Sequence, residues 1–163
     1  MGESASGVRA SVGFASETGP RKRNEDFAAA VIGAELPEPR REVVAAIADG
    51  IGGAKGGREA AETAVRGFLD GFWDLPETME VPRAAARIVN ALNKWIQALG
   101  RQDPELAGMG CTFTALVLRG RIAHISPLSP QIRMYYEIRR VIEVRSQIAS
   151  SHFRAAILNP SLK

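Results

Sequence analysis

The sequence predicts an α+β fold, in which strands and helices occupy separate stretches of the chain. Three features indicate it: short apolar runs in the first third, two long segments of helical periodicity in the middle, and two apolar runs after residue 110. Strands in one run and helices in another are typical of a layered α+β domain rather than of a doubly wound sheet. The 163 residues suffice for one domain, and 45% hydrophobic with 24% charged residues is an ordinary globular composition.

Three strands are predicted before the helices. Residues 8–16 alternate loosely and end in the turn-like segment 17–20, and residues 26–33 form a second apolar run. Residues 42–48 are short, apolar and rich in β-branched side chains, as expected of a buried strand. This third strand runs directly into the glycine-rich segment 49–53.

Two amphipathic helices should follow, separated by a loop that contains Pro76 and Pro82. Each helix has apolar residues at helical spacing, and we expect all of them, including the aromatic side chains, to lie in the core. In residues 58–73 the apolar stripe consists of Ala61, Ala64, Val65, Phe68, Leu69 and Phe72, and in the second helix of Ala85, Ile88, Val89, Leu92, Trp95, Ile96 and Leu99.

A hairpin is predicted at residues 111–125, where two apolar runs flank Arg119-Gly120. The two prolines in residues 126–130 then break any strand. Residues 132–148 mix helical and alternating patterns and are predicted as a helix. We therefore divide the chain into a domain over residues 7–124 and a divergent basic tail over residues 125–163.

The positive charge is concentrated in that tail. Residues 1–124 carry 15 Lys/Arg and 16 Asp/Glu, whereas residues 125–163 carry 6 Lys/Arg and 2 Asp/Glu. No zinc-finger spacing or stacked-aromatic motif accompanies the charge, so no nucleic-acid partner is expected.

Nothing in the sequence predicts export or membrane insertion. No apolar run approaches the roughly 20 residues that span a bilayer, and the first residues lack a basic start with an apolar stretch. The single cysteine, Cys111, allows no internal disulfide. These features favour a cytoplasmic protein without membrane association.

Two segments carry carboxylates that suit chemistry. In residues 21–26 (RKRNED), alternation at a strand start should direct Glu25 and Asp26 to opposite faces. The alternative is an exposed charged turn. In residues 49–53 (DGIGG), Asp49 ends a buried strand, where an acid is costly unless it is paired or binds a metal. Here the alternative is a turn in which Asp49 caps the following helix.

A third segment, Gly110-Cys111-Thr112, says little alone, but the three in this order and spacing resemble the type 2C (PPM-type) protein phosphatase family. That family begins with Arg-x-x-Asn-Glu-Asp after a Thr-Gly turn, matched by residues 18–26, and continues with Asp-Gly-x-Gly-Gly, matched by residues 49–53. Gly-x-Thr then opens its next hairpin. The resemblance covers about residues 7–124 and has a bacterial character.

The resemblance implies metal-dependent hydrolysis of phosphoserine and phosphothreonine in proteins, with a water bridging two Mn²⁺ or Mg²⁺ ions. It also implies an α-β-β-α layered sandwich. By position, Glu25 would bind one ion, Asp49 would bridge both, Gly50 would add its backbone carbonyl, and Asp26 would support the shell by hydrogen bonding. Arg21 would bind the substrate phosphate. The partner would be a phosphoprotein substrate, with a serine/threonine kinase opposing the reaction.

The sequence departs from the family pattern in two places. Ile51 stands where some members have a histidine as candidate general acid, and the resemblance stops near His124. Residues 125–163 contain no aspartate, so the family's later metal-binding aspartates are missing and the site is expected to be catalytically incomplete. We expect the tail to be unrelated sequence, from a frameshift or truncation of a longer gene. It should also lack strands, and this would leave sheet edges open to self-association.

Two functions remain open at this point. The chain is either a protein serine/threonine phosphatase with an impaired site, or a non-catalytic fragment that binds a partner protein. Dependence on Mn²⁺ or Mg²⁺ and on Asp49 distinguishes them.

Overall fold

The computed structural model describes residues 9–37, 39–40, 42–51, 56–119, 122–126 and 152–156. The α+β prediction is confirmed, with helices and strands in separate stretches of the chain. In order, the elements are β1 (Arg9–Gly13), β2 (Asp26–Ile32), β3 (Glu42–Asp49), α1 (Gly57–Trp73), α2 (Val81–Gln102), β4 (Thr114–Arg119), β5 (Ile122–Ser126) and β6 (His152–Ala156). Short 3₁₀ turns lie at Gly33–Glu35 and Pro104–Leu106.

Four of the strands form one antiparallel sheet in the order β2-β3-β4-β5. The register places Val44 opposite both Val31 and Val117. Residues directly opposite each other on neighbouring strands project from the same face of the sheet, so these three share a face. Of them, Val44 and Val117 are buried in the core. That face packs against the helices.

The helices α1 and α2 cover this one face of the sheet and pack against each other. Phe68 of α1 is completely buried, and its ring centroid lies 5.2 Å from that of Phe113, just before β4. The predicted apolar stripes of both helices are confirmed in large part. Among their residues that lie in the core are Ala61, Ala64, Val65, Phe68, Leu69, Phe72, Ala85, Ile88, Val89 and Ile96.

The predicted burial of Trp95 is wrong, because the residue is 58% exposed. It follows Lys94 and precedes the buried Ile96, at the margin of the apolar stripe, where a one-residue step rotates a side chain by about 100°. The spacing of apolar residues alone does not show whether a residue at the edge of the stripe is buried against the rest of the protein or exposed to solvent. Leu92 and Leu99 of the same stripe are only partly buried.

The second helix begins earlier than expected. Pro82 lies in its first turn rather than in the preceding loop. A proline is well tolerated there, since the first backbone N–H groups of a helix have no acceptor within the helix.

The tail contains a strand, contrary to expectation. Residues 152–156 form β6, which pairs in parallel with β1 through Arg9↔His152 to Gly13↔Ala156. A pairing between strands so distant in sequence leaves no local signal in either of them. The helix predicted over residues 132–148 lies outside the described residues.

The opposite face of the four-stranded sheet is also apolar. Ala45 lies opposite Ala30 and Leu116, and Leu116 lies opposite Ile125. Ile125 is 50% exposed on the edge strand β5. Among the described strands, none pairs with the outer edge of β5. Self-association through this edge stays a prediction.

A buried ion pair lies at the end of β3 remote from Asp49. Glu42 is 3% exposed, and its Oε1 lies 2.9 Å from Nε of Arg119, its cross-strand neighbour on β4. Arg119 also donates a hydrogen bond to the carbonyl of Met79 in the loop between the helices, at 2.9 Å. The pair therefore ties the sheet to the helical layer.

No helix in the part of the chain that the structure describes combines the length and apolarity needed to cross a bilayer.

Candidate active site

The three segments singled out in the sequence meet at one end of the four-stranded sheet. Because β2 and β3 are antiparallel, the start of β2 lies beside the end of β3, and Asp26 is the register partner of Asp49. Gly50, the residue after Asp49, forms an isolated antiparallel β-bridge with Cys111, which lies just before β4. The residues Cys111–Phe113, predicted as strand, thus precede β4 and belong to this junction.

Thr112 fixes the backbone of Asp49 from both sides. Its hydroxyl oxygen accepts a hydrogen bond from the Asp49 N–H at 3.1 Å, and its own N–H donates to the Asp49 carbonyl at 2.7 Å. Two residues before Thr112, the Gly110 carbonyl accepts a hydrogen bond from the Ile51 N–H at 2.9 Å. The Gly-x-Thr segment therefore holds the main chain on which Asp49 and Gly50 are carried.

Glu25 lies where the glycine-rich segment meets α1. Its carbonyl accepts a hydrogen bond from the Gly50 N–H at 3.1 Å. Its carboxylate oxygen Oε1 is 3.2 Å from the position that a Cβ on Gly57 would occupy. A carboxylate beside the first turn of a helix is stabilised by the partial positive charge of the helix N-terminus.

Asp49 does not cap α1. The N-cap residue is Gly56, with φ of 79°, and no side chain makes the capping hydrogen bond. The alternative of a simple helix-capping turn is therefore wrong, and the Asp49 carboxyl is available for other interactions.

The turn that precedes β2 is exposed, yet it contributes to the same site. Asn24 organises it, since its Oδ1 accepts from the Asp26 N–H at 2.9 Å and its Nδ2 donates to Ser16 Oγ at 2.7 Å. Arg21, Lys22 and Arg23 are exposed along the turn. The segment is therefore an exposed charged turn, as the alternative proposed, and the same residues also line the candidate site.

These residues surround an open cleft of about 600 Å³. The basic side chains of the turn before β2 lie on one side of the cleft, and the carboxylates at the end of the sheet lie on the other. The cleft is lined by Arg21, Lys22, Arg23, Glu25, Asp49, Gly50, Ile51 and Thr112.

The electrostatics of the cleft centre on Asp49. Partial burial, a side-chain hydrogen bond with Asp26, and the negative charges of Asp26 and Glu25 raise the pKa of Asp49 to about 6, against the opposing effect of Arg21. Crowded carboxylates of this kind are stabilised by a proton or by a bound cation. Behind the site, burial and the charge of Asp49 raise the pKa of the Cys111 thiol to about 12, so this thiol is protonated at neutral pH.

Arg58 supports the strand that carries Asp26. It donates a hydrogen bond to the Asp26 carbonyl, and its guanidinium lies 4.9 Å from the ring centroid of Phe27. About two helical turns further along α1, the guanidinium of Arg66 lies 5.2 Å from the centroid of the same ring. The Nε of Arg66 donates a 2.7 Å hydrogen bond to Oε1 of Glu62. The start of β2 is thereby clamped to α1.

The donor set suits a hard divalent cation in part. Glu25 and Asp49 offer carboxylate oxygens in the cleft, which Mg²⁺ and Mn²⁺ accept together with water molecules and substrate phosphate. Within the described ranges, no group of three or more Asp, Glu, His or Cys side chains is arranged to hold a metal ion. The residues described thus fit a weakly held cation and not, by themselves, a two-metal site.

The raised pKa of Asp49 makes the stability of the metal-free chain depend on pH. The folded state binds the proton with a pKa of about 6, against an ordinary value of 3.8. Protonation therefore favours folding, fully below pH 3.8, and this stabilisation is lost as the pH rises through 6. With EDTA present, we expect the urea midpoint of the chain, relative to that of Asp49→Asn, to fall between pH 5 and pH 7.5. A difference that is constant or rises with pH would contradict the carboxylate crowding.

Four of the five site residues proposed from the sequence line this cleft, namely Arg21, Glu25, Asp49 and Gly50, and their roles stay predictions. Asp26 does not line the cleft and instead contacts Asp49 from the strand. The cleft-lining Lys22 and Arg23 and the anchoring role of Thr112 were missed. Thr112 was visible only as part of the Gly-x-Thr motif, which does not reveal hydrogen bonds to a distant strand.

Comparisons with known proteins concern the family and the fold of the chain. The family model described as protein phosphatase 2C matches residues 23–128. A comparison with curated protein sequences gives no significant match.

Solved structures match the fold of part of this chain. A bacterial serine phosphatase superposes with a TM-score of 0.53 at 20% identity, over 61% of this chain and 39% of that one. The serine/threonine phosphatase PstP of Mycobacterium tuberculosis is 28% identical, with a TM-score of 0.49, over 64% of this chain and 40% of that one. The chain thus spans well under half the length of these structures. With the family model matching well over half of its residues, the chain belongs to the protein phosphatase 2C family.

Proposed function

We propose that this chain acts in the metal-dependent hydrolysis of phosphoserine and phosphothreonine in proteins. The observation that carries the proposal is the convergence of Glu25, Asp49 and Arg21 on one cleft. Carboxylates for a divalent cation beside a guanidinium for a phosphate are the pairing that phosphoryl chemistry requires. The family to which the chain belongs supports the same reaction class.

Each residue has a separate task in this proposal. Glu25 and Asp49 would hold Mn²⁺ or Mg²⁺ through carboxylate oxygens, and Gly50 would add its backbone carbonyl. Asp26, the register partner of Asp49 on β2, would support the shell from beside it by hydrogen bonding. Arg21 would bind two oxygens of the substrate phosphate with its guanidinium fork. A divalent cation held there would lower the pKa of a water nucleophile and neutralise charge on the phosphoryl group.

The serine or threonine oxygen that leaves the phosphate needs a proton, and Ile51, the residue after Gly50, cannot supply one. Ile51 lines the cleft with an aliphatic side chain. Solvent reaches the open cleft, so water is the donor we propose for the serine or threonine oxygen.

A second candidate function is a binding module without turnover. It is favoured by the lack of a three-ligand metal group among the described residues. A weakly held cation with two protein carboxylates would still bind a phosphate in the cleft but would not position a nucleophile. In either case the partner we propose is a cytoplasmic phosphoprotein whose phosphorylation depends on an opposing serine/threonine kinase.

Hydrolysis of a phosphothreonine peptide by the purified chain separates the two functions. Because the described carboxylates hold a cation only weakly, we expect slow phosphate release. This release should require Mn²⁺ or Mg²⁺ and fall at least about 100-fold in Asp49→Asn, because that carboxylate is central to cation binding. Asp70→Asn is the matched control, since Asp70 is exposed near the other end of α1. Equal activity of the chain and Asp49→Asn would contradict the proposed site, and binding of the peptide without turnover would establish the binding module.

A further inference from the structure

A single basic stripe runs along the exposed face of α2. Its members recur at intervals of three or four residues, which places them on one side of the helix. All are exposed, and they are Arg83, Arg87, Asn90, Lys94, Gln97 and Arg101. From Arg83 to Arg101 the stripe extends about 27 Å along the helix axis.

The charge of this helix differs from that of the rest of the domain. The 22 residues of α2 contain four cations and no Asp or Glu. The remainder of residues 1–124 contains 11 Lys/Arg and 16 Asp/Glu. The nearly neutral total of the domain therefore conceals a strongly basic surface.

Helix stability accounts for Arg101, in the last turn of α2, but not for the other cations of the stripe. The first turn of α2 contains Arg83 and no acidic residue, although the positive end of a helix favours acids. Arg83 and Arg87 are four residues apart, a spacing at which like charges destabilise a helix by a few tenths of a kcal/mol. Among the described residues, no ion pair compensates Arg83, Arg87 or Lys94. Arg83 and Arg87 therefore act against the stability of the helix, whereas Arg101, in the last turn, supports it. The exposed cations of the first half of α2 thus indicate a partner outside the helix.

The stripe leads toward the candidate active site. At the C-terminal end of α2, a Cβ on Gly100 would lie 3.1 Å from the Leu106 carbonyl oxygen and 3.4 Å from Met109 Cγ. The next residue, Gly110, accepts a hydrogen bond from Ile51, which lines the cleft. A ligand that follows the stripe toward Arg101 therefore arrives at the cleft end of the domain.

We propose that the basic stripe of α2 binds an acidic segment of a phosphoprotein and delivers its phosphorylated residue toward the cleft. The identification of the partner as a substrate rests on the proposed function. The length of the stripe matches about eight residues of extended peptide. Charge complementarity along a line of this kind raises the association rate and selects acidic partners.

Other anionic partners fit the stripe less well. Single-stranded nucleic acid is bound by grooves that combine charge with stacked aromatic side chains, and Trp95, the exposed aromatic residue of α2, is about 100° around the helix from Lys94. A helix that binds a membrane surface inserts its apolar face. The apolar face of α2 is already buried against α1 and the sheet.

Direct binding tests the stripe independently of catalysis. The probe is a fluorescent, unphosphorylated 12-residue peptide rich in glutamate, compared with the same peptide carrying glutamine at those positions. At low ionic strength we expect the acidic peptide to bind at least about tenfold more tightly than the neutral one, with an affinity that falls as salt is added. The double variant Arg87→Glu/Lys94→Glu should lose about tenfold in affinity, whereas the charge-preserving Arg87→Lys/Lys94→Arg should retain it.

Kinetics then connect the stripe to the cleft. For phosphothreonine peptides with the same acidic or neutral extension, the charge-reversed variant should raise KM for the acidic peptide alone and leave hydrolysis of p-nitrophenyl phosphate unchanged. If the acidic peptide binds through the stripe but is not hydrolysed, the proposed hydrolysis is refuted and the proposal that the stripe binds acidic segments is retained. Equal binding of both peptides, or of both variants, would overturn the proposal, and so would tighter binding of single-stranded RNA or of phosphatidylserine vesicles through the same residues.

Discussion

Replacement of Gly50 by alanine should both destabilise the fold and dismantle the cleft. A Cβ at this position would lie 2.4 Å from the Gly57 carbonyl carbon and 2.5 Å from its oxygen. Both atoms belong to the main chain, so no side-chain rotation relieves the overlap, and the start of α1 must move away from β3. Overpacking costs about 1–3 kcal/mol and occasionally more, and because this overlap is with the main chain we expect about 3 kcal/mol. Because Glu25 lies against Gly57, the displacement also separates the carboxylates of the site.

Chemical denaturation and Mn²⁺ binding measure the two consequences for Gly50→Ala. Gly13→Ala is the matched control, since a Cβ there meets nothing within 4 Å. We expect a large loss of stability together with loss of Mn²⁺ binding in the first variant, and little change in the second. Similar denaturation midpoints for Gly50→Ala and Gly13→Ala would contradict the close approach of β3 to α1.

The second large effect is expected for Arg119→Met at the opposite end of β3. This change leaves the Glu42 carboxylate buried without its cation and removes the hydrogen bond to Met79. Loss of one partner of a buried ion pair costs about 3–5 kcal/mol. Since the Arg119 side chain is 30% exposed, we expect the lower end, about 3 kcal/mol.

An exposed pair provides the control for this prediction. Arg66 and Glu62 lie 2.7 Å apart with side chains 64% and 39% exposed, and such pairs contribute at most about 1 kcal/mol. Arg66→Met should therefore lower the free energy of unfolding much less than Arg119→Met. The double variant Glu42→Leu/Arg119→Met should recover most of the loss, because no charge is left buried. No difference between the two single variants would show that Glu42 is satisfied by other groups.

Local patterns were sufficient to predict most of the fold. The strand that ends at Asp49 and the helix that contains Phe68 follow from apolar runs and helical periodicity, since both elements bury what their own sequences present. The motif residues at the cleft were also predicted, because three ordered motifs identify the family. The division of the chain near residue 124 stays a prediction.

The features that could not be predicted depend on tertiary contacts. The pairing of β6 with β1 joins segments far apart in the sequence, and the exposure of Trp95 depends on where the covering layer ends. The hydrogen bonds from Thr112 to Asp49 likewise require β3 and the segment before β4 to be adjacent. The basic stripe was hidden for a simpler reason, because charge totals over residues 1–124 average a basic helix with acidic surroundings.

Titration of the purified chain with Mn²⁺, followed by the electron paramagnetic resonance signal of the free ion, tests the central claim most directly. We expect saturable binding at pH 7.5 that is lost in Asp49→Asn and retained in Asp70→Asn. Binding should weaken as the pH falls below about 6, where Asp49 takes up a proton. Equal binding by the chain and by Asp49→Asn, or no binding by the chain at pH 7.5, would contradict a divalent cation site at the end of β3.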